Sequence, residues 1–168
     1  MKPLKNEYIT NQNDMYLYFE IINQAEPDSI IDIGMFLKRI GAISRQVKNF
    51  SIPDNIVLDG IDFMDHLSAK IYESIYNNIG SAKEFVGKIQ GNALDEFWNR
   101  QYDLAFMLRM ESAVDTKSKE KLWKWVSNHA HHAVVSGYAD SLSQIHIKAS
   151  NQILNVDNDI YSLIEFDR

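Results

Sequence analysis

Short apolar runs alternate along this chain with longer stretches whose apolar residues recur every three or four positions. No other feature limits the fold as strongly. The run Tyr102-Asp103-Leu104-Ala105-Phe106-Met107-Leu108 is apolar almost throughout, as a strand covered on both faces must be. Similar runs occur at Ser29 to Ile33, ending at Gly34, at Ile56 to Asp62, and at His132 to Ser136. The stretches between them carry helical spacing. Met15, Tyr18, Phe19 and Ile22 follow i, i+3, i+4, i+7 in a helix expected from Asn13 to Ala25, capped by Asn13 and stopped by Pro27. Leu37, Ile40, Ile43 and Val47 trace a second helix, closed by Pro53. Leu67, Ile71, Ile75 and Ile79 trace a third, ending at Gly80. Leu122, Trp125, Val126 and His129 share a face of a helix from Lys119 to His129. Such alternation predicts an α/β sheet built from crossover connections.

The third strand is expected at Phe85 to Gln90, although Gly87 and Lys88 interrupt it. After Ser136 a helix is expected between Ala139 and Asn151. Then come Ile153 to Val156, the turn-like pair Asp157-Asn158, and a final strand from Ile160 to Phe166. This reads as a β-hairpin, so the last strand should run antiparallel to its neighbour. The expected architecture is three layers, helix–sheet–helix. Its seven-stranded sheet is mostly parallel, with one antiparallel C-terminal strand.

At 168 residues the chain is expected to form one domain, residues 1–168, with 1–12 as a flexible N-terminal extension. Lys and Arg total 17 against 23 acidic residues, a net charge of −6. That balance argues against strong binding to nucleic acid or to anionic lipid. The absence of cysteine excludes disulfides, thiolate chemistry and cysteine-held metals. No apolar run reaches signal-peptide or bilayer length, so a soluble cytoplasmic protein is expected. No P-loop, G-x-G-x-x-G or Ser-His-Asp order is present.

Four segments, in order, carry a family resemblance: Ser29-Ile30-Ile31-Asp32-Ile33-Gly34, Gly60-Ile61-Asp62-Phe63, Gly91-Asn92-Ala93-Leu94 and Tyr102-Asp103-Leu104-Ala105-Phe106. With the terminal hairpin, the chain from Asn13 to Phe166 resembles a class I S-adenosylmethionine-dependent methyltransferase of the Rossmann-like type. The resemblance implies S-adenosylmethionine as cofactor and a methyl acceptor or protein partner; a homo-oligomer is compatible with it, and the lack of a bilayer-length apolar run implies no membrane. It implies a cofactor site made of Asp32, Gly34, Asp62, Phe63, Asn92 and Ala93. Gly34 stands as the first loop glycine and Asp32 as the acid of the first strand. Asp62 stands as the ribose carboxylate. Asn92 and Ala93 offer an amide oxygen and a backbone N–H to the adenine. The family's loop has the form G-x-G-x-G, whereas this one reads Gly34-Met35-Phe36-Leu37-Lys38. Phe36 and Lys38 would fill space that a cofactor needs, which predicts poor affinity.

Plainer roles compete for these residues. Asp32 and Gly34 also suit the end of a strand and the opening of a turn. Asp62 also suits the N-cap of the third helix, with Asp59 as a competitor for either role. His129, His131 and His132 invite a metal reading, but no matching carboxylate motif stands nearby, so the polar end of a helix and no metal are expected. Trp125 is expected in the core, Trp123 partly exposed or at a subunit contact. Lys117, Lys119, Lys121 and Lys124 are expected on a solvated face. Two functions remain: a small methyltransferase with weakened cofactor binding, or a scaffold subunit that keeps the fold without the cofactor.

Overall fold

A computed structural model describes residues 1–2, 14–34, 55–62, 79–84, 94, 100–108, 116–136, 147–156 and 159–167. The elements run α1 (Asp14–Ala25), β1 (Ser29–Gly34), β2 (Val57–Asp62), β3 (Ile79–Glu84), β4 (Tyr102–Met107), α2 (Thr116–His129), β5 (Ala130–Ser136), β6 (Ile147–Val156) and β7 (Asp159–Phe166). The strands join in one sheet, in the order β3-β2-β1-β4-β5-β7-β6. β1 pairs in parallel with both β2 and β4; β2–β3 and β4–β5 are parallel too. β7 runs antiparallel to both β5 and β6, so it alone opposes the sheet. The expected mostly parallel sheet with one reversed C-terminal strand is what the chain forms.

Both faces of the central strands are buried. Ile31 and Ile33 of β1 align with Ala105 and Met107 of β4, and these with Ala133 and Val135 of β5. They form one cluster with Leu122, Trp123, Trp125 and Val126 of α2. The alternate residues Ile30, Leu104, Phe106 and Val134 are fully buried on the opposite face. Near-continuous apolar runs follow directly, because neither face meets water.

Three expectations need correction. β3 lies at Ile79–Glu84, before the expected Phe85–Gln90, and it takes in Ile79 and Gly80, which the third helix was expected to contain. The four-residue apolar repeat ran one step too far: an isoleucine at that spacing serves the start of a strand equally well. β6 begins at Ile147, so the helix expected between Ala139 and Asn151 gives way to strand over its last five residues. Pairing along β7, which spans Ile147↔Phe166 to Val156↔Asp159, overrides the local pattern. In α1 the buried residues include Leu17 and Ile21 beside Ile22, so the buried face takes in positions that the expected spacing left out. The helix expected over 37–47 and most of the third helix lie outside the described residues.

α1 is followed by Glu26, whose φ of 47° is left-handed. Its N–H donates to the Ile22 carbonyl at 3.2 Å, closing the helix. The chain start is anchored there: the Lys2 N–H donates to the Ala25 carbonyl at 2.6 Å, and its ammonium pairs with Glu26 at 2.5 Å. The remainder of the expected flexible extension lies outside the described residues.

Candidate functional site

Strand order reverses between β1 and β4, and in open α/β sheets such a switch point opens a crevice beyond the carboxyl ends of the strands. Here β1 ends at Gly34. Its register partner is Asp62, the last residue of β2, whose own partner is Glu84, the last residue of β3. Three adjacent strand ends therefore bring a glycine and two acidic residues to one edge. At ~4.8 Å between strands they span about 10 Å. On the other side of β1, Ile33 pairs with Met107, so β4 ends beside Gly34.

Asp32 lies two residues before that edge, opposite Gly60 of β2 and Phe106 of β4, and is fully buried. It is an engaged carboxylate below the rim rather than one open to solvent. Phe63, Asn92 and Ala93 lie outside the described residues, as does the loop from 35 onward. The strand that Asn92 and Ala93 were expected to follow ends at Glu84. Glu84 is thus the acidic residue that sequence reasoning passed over. The misplaced third strand hid it.

Asp59 is a competitor for neither site role. It pairs with Ile31, so by alternation it faces the opposite side of the sheet from Asp32. Its carboxylate is fully buried and accepts from the Tyr102 hydroxyl at 2.6 Å and from Arg100 Nη1 at 2.8 Å. Tyr102 opens β4 and Arg100 lies two residues before it, both on the far side of β1 and at the amino edge of the sheet. The network clips β2 to β4 across β1, away from the candidate site. Burial, reinforced by the neighbouring carboxylate, pushes the Tyr102 hydroxyl well above the ordinary tyrosine range, against the opposing pull of Arg100. One signal was available in the sequence: an acid inside a strand buried on both faces requires a partner.

The three histidines take separate roles. His129 stacks on Trp125 with ring centroids 4.4 Å apart, and its Nδ1–H donates to the Trp125 carbonyl at 2.7 Å. His131 is exposed. His132 is half-buried, opposite Glu165 of β7, and its buried Nδ1 has no hydrogen-bond partner among the described residues. Burial lowers its pKa below the ordinary histidine value; His131 adds to that, while Glu165 and Asp103 oppose it.

Trp123 is only 6% exposed and joins the core, which corrects the expected exposed or subunit-contact position. α2 buries Ser118, Leu122, Trp123, Trp125, Val126 and His129, a stripe wide enough to take both tryptophans. Its outer face carries exposed Lys117, Lys121 and Lys124, with Lys119 half-buried beside them. No acid stands in its first turn, and Glu120 is the helix's single acidic residue. Like charges at i, i+4 cost about 0.2–0.5 kcal/mol per pair, and lysines in a first turn oppose the helix dipole.

This strand order, with its reversed seventh strand and carboxyl-edge glycine and acid, is the class I methyltransferase fold. Solved structures agree. A Staphylococcus aureus protein crystallised as a candidate caffeoyl-CoA O-methyltransferase superimposes with a TM-score of 0.59 at 17% identity, over 95% of this chain and 86% of that one. The 16S rRNA methylase ArmA superimposes with a TM-score of 0.52 at 18% identity, over 92% and 82%. The N-terminal domain of EvdMO1, solved with SAH bound, gives 0.54 at 8% identity, over 91% and 79%. At such identities the likeness establishes the fold. No family model matches the chain, and no curated protein matches it in sequence.

Proposed function

We propose that the chain binds S-adenosylmethionine, or the product left after methyl transfer, at the carboxyl edge of the sheet and delivers a methyl group to an acceptor. The observation that carries this reading is the register pairing of Gly34 with Asp62 at the ends of β1 and β2, beside the switch point. Gly34 has no side chain, so a ligand can approach the backbone closely. Asp62 supplies acceptors for the ribose hydroxyls. Phe63, Asn92 and Ala93 enter by resemblance, as wall and adenine contacts. The cofactor supplies an electrophilic methyl group on a sulfonium. The chain's own contribution is to hold the acceptor in line and keep water out, and orientation of that kind provides much of such a reaction's acceleration. The acceptor is open on fold grounds: relatives in fold include a candidate caffeoyl-CoA O-methyltransferase and a 16S rRNA methylase.

A second reading has its own support. Phe36 and Lys38 stand where a glycine-rich loop is expected, which favours a scaffold that has kept the fold and lost the cofactor. Thermal unfolding with and without S-adenosylmethionine separates the two. Ligand at 100 times its dissociation constant stabilises the native state by about 2.7 kcal/mol. A clear upward shift supports the methyltransferase; no shift at millimolar cofactor supports the scaffold.

A further inference from the structure

We infer that the outer face of α2 is a docking surface for a nucleic-acid strand, gripped by its phosphates along Lys117, Lys121 and Lys124. The helix carries four lysines against one glutamate, a net of +3 in a chain of −6, which leaves −9 for the remainder. The charge is therefore segregated, and the whole-chain balance understates how basic this face is. The three exposed lysines fall at i, i+4 and i+7, one line along the helix, with steps of roughly 6 and 4.5 Å. Among the described residues none of the helix lysines forms an ion pair; the salt bridges there are Lys2–Glu26 and Arg100–Asp59. Glu120, three residues after Lys117 and four before Lys124, offsets part of this repulsion, but the exposed line keeps a surplus of positive charge that opposes the helix dipole. A local rule broken without structural return is what a binding surface looks like.

The chemistry of the face selects the partner. It presents lysines and no arginine, and its tryptophans are turned into the core. Protein interfaces favour Arg and aromatic anchors and are depleted in Lys. A phosphate backbone needs only point charges at intervals. The direction of α2 completes the argument. β4 leads out at the carboxyl edge, and α2 returns to the start of β5, directly after His129. Fourteen helical residues rise about 21 Å, close to the ~20 Å length of the six-residue β4. Lys117 therefore stands near the carboxyl edge and Lys124 about halfway down the sheet. A strand lying along this line is led toward the crevice beside Gly34. That the strand also carries the methyl acceptor rests on the methyltransferase reading; the docking itself does not.

The test is fluorescence anisotropy of the full chain with a short labelled single-stranded RNA, with the same sequence as DNA, and with polyglutamate as an acidic-polypeptide control. With three or four phosphates engaged, affinity should fall about 20- to 50-fold between roughly 50 and 200 mM salt. The triple variant Lys117→Glu, Lys121→Glu, Lys124→Glu alters exposed positions only and should abolish binding while leaving its circular dichroism unchanged. The corresponding Lys→Arg triple should retain binding. The RNA and DNA arms show which strand is preferred, and salt-sensitive, α2-dependent binding of either supports the inference. No binding at low salt, binding that survives the Lys→Glu triple, or equal binding of polyglutamate would overturn it. Cofactor affinity is measured separately on the wild type and the Lys→Glu triple: if neither binds S-adenosylmethionine, the methyltransferase reading fails while docking stands or falls on the RNA data.

Discussion

Replacing Tyr102 by phenylalanine removes a single oxygen from the clip between β2 and β4. The ring remains, with its centroid 6.3 Å from that of Trp125, so packing is conserved. What is lost is the 2.6 Å donation to a carboxylate that has no access to water. A hydrogen bond to a charged group contributes about 1.5–3 kcal/mol, and a buried acceptor left short of donors cannot recover it from solvent. Asp59 keeps Arg100, but that side chain is 47% exposed and its pull is partly screened. The expected destabilisation is therefore about 1.5–3 kcal/mol. At ~2.1 cal/mol/K per residue, 168 residues give an unfolding entropy near 0.35 kcal/mol/K, so Tm should fall by roughly 4–9 °C. Urea unfolding gives the free energy directly, and an unchanged m-value confirms that the native fold persists. The pH dependence is a second, independent check. Folding raises the Tyr102 pKa, so the unfolded chain releases this proton first, near pH 10. Wild-type stability therefore loses the Tyr102 contribution as pH rises above about 10, and the gap between wild type and Tyr102→Phe should narrow there. A variant as stable as wild type at pH 7, or a gap that widens in alkali, would refute the account of this network.

Glu26→Gly should stabilise the chain by about 1 kcal/mol in urea unfolding, because glycine accepts the left-handed conformation that glutamate adopts at a cost, and the exposed pair with Lys2 contributes little. His132 has a lowered pKa in the folded chain, so the stability it contributes is present above about pH 6.5 and drains away as pH falls and the unfolded chain takes up the proton. Denaturation curves of His132→Gln should accordingly show a shallower acid slope than wild type. Asp62→Ala should weaken S-adenosylmethionine binding in calorimetry while barely moving Tm, whereas Asp59→Ala should lower Tm by several degrees through loss of the buried network; the reverse pattern would exchange their roles. Restoring glycine at Phe36 and Lys38 together should tighten cofactor binding in titration if these side chains obstruct the pocket, and tight binding by the unmodified chain would show that they do not.

Local pattern alone was enough for β1, β4, β5, α2 and the reversed final strand. These segments are buried on defined faces, so water imposes a period of two or 3.6 on their residues, or erases polarity altogether. That Gly34 and Asp62 each end an apolar run was likewise legible, but their pairing comes only from the strand order. Where burial is less one-sided the pattern loses authority. β3 is an edge strand reading Ile79-Gly80-Ser81-Ala82-Lys83-Glu84, with little apolar signal, and it was displaced by six residues. β6, the other edge, was half mistaken for helix because its register along β7, not its own composition, holds it extended. The depth of Trp123 depends on how wide a stripe of α2 the sheet covers. Only the tertiary structure brings Asp59 to Arg100 and Tyr102, 41 and 43 residues away, or Lys2 to the end of α1. Periodicity records which side of an element is dry. A buried carboxylate's partner is chosen by how strands are ordered in space, and no short stretch of sequence carries that order.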